Sequence, residues 1–261
     1  MRMMFLGTSS NSGKTTVAAM MCRYAAINGI SVAPFKASNL SSSWHITESG
    51  LPIGIGQAFQ AIASGIMPEA DMNPMLLRPE KEGVVRYLRG KSCAMSNDTA
   101  VSEALASFDH IAGKYDLVVC EGSGSPVELN LKGGDIANMR MVRERRIPSI
   151  IVGDIERGGV FAAIYGTWKL TSEEDRKYLR GFVINRFRGD VSVLYPGIEE
   201  LESITGMRCF GVIPYADLRV PEEDTSESKV SCLEGLRSLD DLLSLCRDSV
   251  DLDGMLRISG T

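Results

Sequence analysis

Short apolar runs alternate with longer stretches of helical spacing along almost the whole chain. "MMFLG" (3–7) has the length and composition of a buried strand and ends at a Gly-rich turn. Residues 15–28 carry apolar positions at helical spacing, and Gly29 follows as a stop signal. "ISVAPFK" (30–36) predicts a second strand. "DLVVCEG" (116–122), "PSIIVGD" (148–154), "GFVINR" (181–186) and "CFGVIP" (209–214) predict four more. Helices are expected at 54–65, 98–113, 135–146, 158–170, 194–205 and 233–250. Continuous apolar strands separated by helices predict an α/β fold with a mostly parallel sheet and helices on both faces. Right-handed crossovers then bring the strand C-termini to one edge, where ligands bind in such sheets.

The rhythm breaks in two places. Over 37–95 the pattern is irregular, and "SSSWHITESG" and "KEGVVRYLRGKS" are expected to make a small hairpin over the sheet edge. "PEEDTSESK" (221–229) is acidic and poor in apolar residues, which predicts an exposed loop. The expected organisation is one large domain over 1–220, an acidic linker over 221–232, and a C-terminal helix and tail over 233–261.

Composition narrows the class. The 261 residues are 44% hydrophobic and 23% charged, enough for a sizeable core. A net charge of −5 gives no general attraction for nucleic acid, so any phosphate site must be local. Apolar runs are too short to span a bilayer, and "MRMMFL" runs directly into the Gly-rich turn, so no membrane segment or signal peptide is expected. Six scattered cysteines without a C-x-x-C read as reduced thiols of a cytoplasmic protein. His45 and His110 stand singly, which suits structural or surface residues.

Chemistry concentrates in "GTSSNSGKTT" (7–16). A strand, a Gly-rich turn and Lys-Thr opening a helix present backbone N–H groups to phosphate oxygens. Gly7, Thr8, Asn11, Ser12 and Gly13 form the candidate cradle, with Thr16 in the following turn. Lys14 supplies charge at the transferred phosphate, and the Thr15 hydroxyl suits Mg²⁺. Five residues rather than four separate Gly7 from Gly13, and no lysine precedes Lys14 in the loop. This form resembles the loop of the dethiobiotin-synthetase-like ATPases rather than that of partition ATPases.

Other polar residues end predicted strands. Glu121 closes "LVVCE" and suits Mg²⁺. Asp154 closes "SIIVGD" before "IERGGVF", whose two glycines open a helix. Asn185 closes "FVIN", and its amide suits a base. Lys36 ends the second strand. Asn130, Lys132, Asp135 and Asn138 lie in "ELNLKGGDIANMRM", where Asp135 also reads as a helix cap.

"GTSSNSGKTT", "APFKASN", "DMNPMLLRP", "YDLVVCEGSGSPVELNL", "DIANM", "VGDIERGGVFA", "GFVINRFRGD" and "GVIPY" occur in this order between about residues 5 and 217. Together they resemble the ATP-dependent synthetase domain of the cobyric acid synthases, and "DLDGMLRISG" near the end is also familiar. The resemblance implies a P-loop NTPase-like three-layer α/β/α fold. It implies that ATP phosphorylates a carboxylate and that ammonia displaces phosphate to leave an amide. The family's substrate is adenosylcobyrinic acid a,c-diamide, a corrinoid. By motif, Lys14, Thr15 and Glu121 would serve the phosphates and Mg²⁺, Lys36 the reacting carboxylate or γ-phosphate, and Asn185 and Pro214 the adenine. Asn39, Ser125, Asn130, Asp135, Asn138 and Asp154 would line the substrate or phosphate side. Related synthetases often build sites across a homodimer.

Two departures shape the expectation. The family continues into a glutaminase half with a Cys nucleophile and a His-x-Glu, and neither histidine here has a Glu two positions later. Three readings stay open: the chain is a piece of a longer protein, it pairs with a separate glutaminase chain, or it uses free ammonia. Pro52 and Ile55 stand where the family carries Glu and Arg, which removes a carboxylate from the metal region and leaves Glu48 or Asp71 as candidate substitutes. Two further readings stay open: a nucleotide-binding regulatory subunit without turnover, and a dethiobiotin-synthetase-like enzyme with another carboxylate substrate.

Overall fold

The computed structural model describes residues 1–80, 83–93, 96–131, 135–221 and 231–260. Lys132 and residues 222–230 of the expected acidic linker lie outside the described residues. The chain opens with β1 (Arg2–Gly7), α1 (Lys14–Ile27) and β2 (Val32–Phe35). An irregular region follows: β3 (Ser38–Leu40), β4 (Trp44–Ile46), β5 (Pro52–Gly54), α2 (Ile55–Ala63), β6 (Met75–Glu80), β7 (Gly83–Leu88) and β8 (Lys91–Ser92). Regular alternation then returns with α3 (Asn97–Ala112), β9 (Leu117–Glu121), α4 (Met139–Arg145), β10 (Ser149–Asp154), α5 (Val160–Leu170), α6 (Glu173–Arg176), β11 (Leu179–Phe187), α7 (Tyr195–Thr205) and β12 (Arg208–Pro214). The C-terminal part holds α8 (Cys232–Cys246) and α9 (Leu252–Ile258).

Six strands form the main sheet in the order β12-β11-β10-β1-β9-β2, and every pairing is parallel. Successive side chains of each strand point to opposite faces. Met4, Leu6, Val118, Cys120, Ile151 and Phe182 join one core with α3, α4, α5 and α7. Met3, Phe5, Leu117, Val119, Ile150 and Val183 join the other with α1, α8 and α9. That division explains the continuous apolar runs: a strand covered on both faces has no polar side. Phe35 meets Phe108 of α3 edge-to-face at 5.4 Å between ring centroids.

The irregular region makes two small sheets rather than one hairpin. β4 and β5 pair antiparallel, while β6, β7 and β8 form a meander with β3 added parallel to β6. Two helices are shorter than their periodicity predicts. The Asp135 carboxylate accepts from the Asn138 and Arg140 amides, so the segment before α4 is its cap rather than its first turn. The single helix expected over 233–250 divides into two. α8 begins on a reciprocal Ser231–Glu234 capping box, and α9 is capped by Asp251. Both pack onto the domain through Leu239, Leu242, Cys246, Leu252 and Met255.

Candidate functional site

Parallel pairing places the C-terminal ends of β1, β2, β9, β10, β11 and β12 on one edge of the sheet. The 7–13 loop leaves β1 there and enters α1. Gly13 has φ 93°, a left-handed conformation that favours glycine, and a side chain at that position would collide with the Asn185 amide. A Cβ on Gly7 would come within 2.5 Å of Ser12 Oγ and 2.6 Å of Lys14 Nζ. Both glycines let the loop fold over the strand end. Among the described residues no side-chain hydrogen bond caps α1, and no acidic residue stands in its first turn, which leaves an electropositive helix N-terminus. Lys14 is buried and donates to the Ser9 carbonyl at 2.8 Å. Ser12 Oγ is buried without a hydrogen-bond partner.

The core of the site is the carboxylate of Glu121, 1% exposed at the end of β9. Its Oε1 accepts from the Thr15 hydroxyl and from Lys36 Nζ, both at 2.8 Å. Its Oε2 accepts from Gln60 Nε2 at 2.7 Å and Gln57 Nε2 at 3.3 Å. Burial by itself pushes this carboxyl up. The Lys36 charge outweighs it, with hydrogen bonds from Lys36, Gln60 and Thr15, and holds the group below the usual carboxylate range. Asn39 joins from β3 by donating to Gln57 Oε1 at 3.0 Å.

A second group braces the phosphate-loop candidate from β10 and β11. Asn185 donates to the Ser12 carbonyl at 3.0 Å and accepts from the Arg186 amide, so its side chain holds the loop. Asp154 accepts from the Glu156 amide and pairs with Arg186 at 2.8 Å. Arg186 also donates to the Asn11 carbonyl at 3.0 Å. Arg186 and Asn11 both have positive φ, 63° and 60°, a strained pairing that their shared hydrogen bond holds. Thr8 donates its amide to Val152, and Pro214 pairs with Phe187 at the adjoining strand ends.

The third group lies past β9. Asn138 accepts from the Ser123 amide at 3.0 Å and donates to the Ser123 carbonyl at 2.8 Å, pinning the turn that carries Ser125. Asp135 caps α4 beside it. Asn130 is exposed in the short turn at Leu129–Leu131. α5 opens on Gly158 and Gly159, again with no side-chain cap among the described residues.

Lys14, Thr15, Lys36, Glu121 and Asn39 thus come together, while Asp154 and Asn185 brace the loop. Of the proposed substitutes for the missing carboxylate, Asp71 is engaged by Arg89 at 3.1 Å and Ser107 at 2.6 Å, and Glu48 is exposed. The two glutamines escaped sequence reading. A signal existed: polar residues three apart on one face of an otherwise apolar, buried helix.

The donor set fits a magnesium nucleotide. Thr15 Oγ1 and Glu121 Oε1 are hard oxygen donors side by side next to the phosphate loop, the ligand type Mg²⁺ takes. Among the described residues no group of three His, Cys, Asp or Glu side chains could hold a metal, so a cation here needs phosphate and water oxygens as well. No helix among the described residues is long and apolar enough to cross a membrane.

Comparison with known proteins points to a nucleotide-binding domain. The CobQ/CobB/MinD/ParA nucleotide binding domain family matches residues 3–227. A protein named probable cobyric acid synthase from Methanoculleus marisnigri is 42% identical over 234 residues, covering 86% of this chain and 48% of that protein. The cobyric acid synthase of Mycobacterium ulcerans is 46% identical over 234 residues, covering 84% of this chain and 47% of that protein. The chain therefore spans about half the length of the curated relatives it matches. A chain of the MinC:MinD cell division protein complex of Aquifex aeolicus superposes with a TM-score of 0.54 at 16% identity, covering 100% of this chain and 96% of that one. That likeness is of fold alone.

Proposed function

We propose, for a chain that belongs to the CobQ/CobB/MinD/ParA nucleotide binding domain family, that it uses ATP and Mg²⁺ to activate a carboxylate of a cobyrinic acid derivative for amidation. The observation that carries the reading is the buried convergence of Thr15 and Lys36 on one oxygen of Glu121, beside the phosphate loop. The similarity to cobyric acid synthases supports the choice of substrate.

The loop amides, the N-terminus of α1 and Lys14 bind and orient the triphosphate. Thr15 and Glu121 would hold the cation, which would neutralise phosphate charge. A substrate carboxylate oxygen attacks the γ-phosphorus, and the bond to the ADP oxygen breaks. Lys36 bears the positive charge nearest this exchange once it leaves Glu121. Ammonia then attacks the acyl carbon, loses a proton, and expels phosphate carrying one former carboxylate oxygen. Asn138 and Ser125, with the N-terminus of α5, line the substrate side. The Asn185 amide, expected to read a base, is instead engaged with the Ser12 carbonyl and the Arg186 amide and holds the loop, which leaves Pro214 as the candidate flank of the base. Ammonia arrives from a glutaminase or in free form, and a second copy of the chain is a candidate contributor to the substrate side.

The test is ADP release with cobyrinic acid a,c-diamide and ammonium, each added and withheld. The expected result is hydrolysis that depends on the corrinoid acid. Nucleotide binding without stimulation by any corrinoid acid would refute the substrate and leave a regulatory subunit. Stimulation by a different carboxylic acid would move the site to another substrate.

A further inference from the structure

Gln57 and Gln60 are the only two glutamines in the 261-residue chain. Both lie on α2, both are fully buried, and both donate to the same oxygen of Glu121. Their remaining atoms differ. Gln57 Oε1 accepts from Asn39, so that amide is engaged at both ends. Gln60 Nε2 faces two groups that only accept, Glu121 Oε2 at 2.7 Å and the Thr15 carbonyl at 3.3 Å. An amide between two acceptors must present its N–H₂ to them, so the orientation is fixed by chemistry. Gln60 Oε1 is then left buried with no hydrogen-bond partner.

A buried carbonyl without a donor costs stability, and an apolar side chain of similar size would avoid that cost. The missing partner must be a donor that arrives beside Glu121 and Thr15. Mg²⁺ keeps several of its waters when it binds a nucleotide, and those waters are strong donors. Outer-shell acceptors commonly orient such groups. We propose that Gln60 is an outer-shell residue of the nucleotide's divalent cation. Its Nε2 fixes the Glu121 carboxylate, and its Oε1 accepts from a water the cation retains. Gln57 only positions Glu121. The inference rests on the reading of Thr15 and Glu121 as cation ligands.

Mn²⁺ binding to the full chain, in the presence of a non-hydrolysable ATP analogue, tests it by electron paramagnetic resonance. Gln60→Met should weaken Mn²⁺ binding about 10- to 100-fold while metal-free nucleotide affinity holds. Gln57→Met removes a donor to the same Glu121 oxygen but no acceptor left open beside the cation, and should stay within a few-fold of wild type. Wild-type affinity in Gln60→Met, or equal losses in both variants, would overturn the proposal and leave Gln60 as a prop for Glu121. Glu121→Gln separates the two levels: if it binds Mn²⁺ like wild type, the cation reading itself fails and takes the inference with it. A measurement on the unaltered protein covers a misfolding variant. Selective ¹⁵N-glutamine labelling gives two side-chain amide groups, and both should broaden when Mn²⁺ and nucleotide bind. An amide that stays sharp, identified as Gln60 by its absence in Gln60→Met, overturns the proposal.

Discussion

Replacing Lys36 with methionine would leave Glu121 in the core without its cation. The pair is closed to solvent, with side-chain exposures of 3% and 1%. Removing one partner of a buried ion pair costs about 3–5 kcal/mol because the survivor is an uncompensated charge. Thr15, Gln57 and Gln60 still donate to the carboxylate, which places the cost at the lower end, about 3 kcal/mol. For a domain of this size that lowers the melting temperature by roughly 6–12 °C. The assay is reversible urea unfolding with a matched thermal melt, and the urea slope should not change. Removing both partners in Lys36→Met/Glu121→Gln should recover most of the loss. The pH dependence gives a second signature. In wild type the Glu121 carboxyl lies below its ordinary value of 4.5, so its contribution is complete above that pH and fades as pH falls toward the lowered value. In Lys36→Met burial prevails and the carboxyl rises. Its penalty is then largest at high pH and shrinks as pH falls through the raised value, so the gap to wild type should be smaller at pH 5 than at pH 8. A Lys36→Met protein as stable as wild type, or a double variant no better than the single one, would refute the reasoning.

Other expectations follow from the same geometry. Gly13→Ala puts a Cβ into the Asn185 amide at a left-handed backbone position, so nucleotide affinity measured with a fluorescent analogue should fall at least tenfold, with about 1–2 kcal/mol lost from the backbone conformation alone. Asn138→Ala removes both clamps on Ser123 and should cost about 1–3 kcal/mol in urea unfolding while leaving metal-free nucleotide affinity unchanged. Burial pushes the Cys22 and Cys246 thiols up to about 12 and the Cys209 thiol to about 11. Brief native alkylation at pH 8 followed by mass mapping should therefore modify exposed Cys232 well before these three.

The phosphate loop and most of the main sheet were legible because their signals are local. A strand, two glycines and Lys-Thr lie within a dozen residues, and each two-sided strand is an unbroken apolar run. Glu121, Lys36 and Thr15 could be nominated singly from strand ends and motif positions. Their meeting on one carboxylate could not, because the sequence distances are 85 and 106 residues. The β3–β8 region was harder because its strands are short and partly exposed, so neither period runs long enough to register. Gln57 and Gln60 were passed over because a buried amide gains its meaning from the acceptor it faces. The cap at Asp135 was visible as one of two readings, and only the Asn138 and Arg140 amides chose between them.

Oxygen transfer tests the central claim most directly. A corrinoid acid carrying ¹⁸O in its carboxylates, incubated with this chain, ATP, Mg²⁺ and ammonium, should yield inorganic phosphate with one ¹⁸O per amide formed. Phosphate whose new oxygen comes only from water would contradict carboxylate activation at this site.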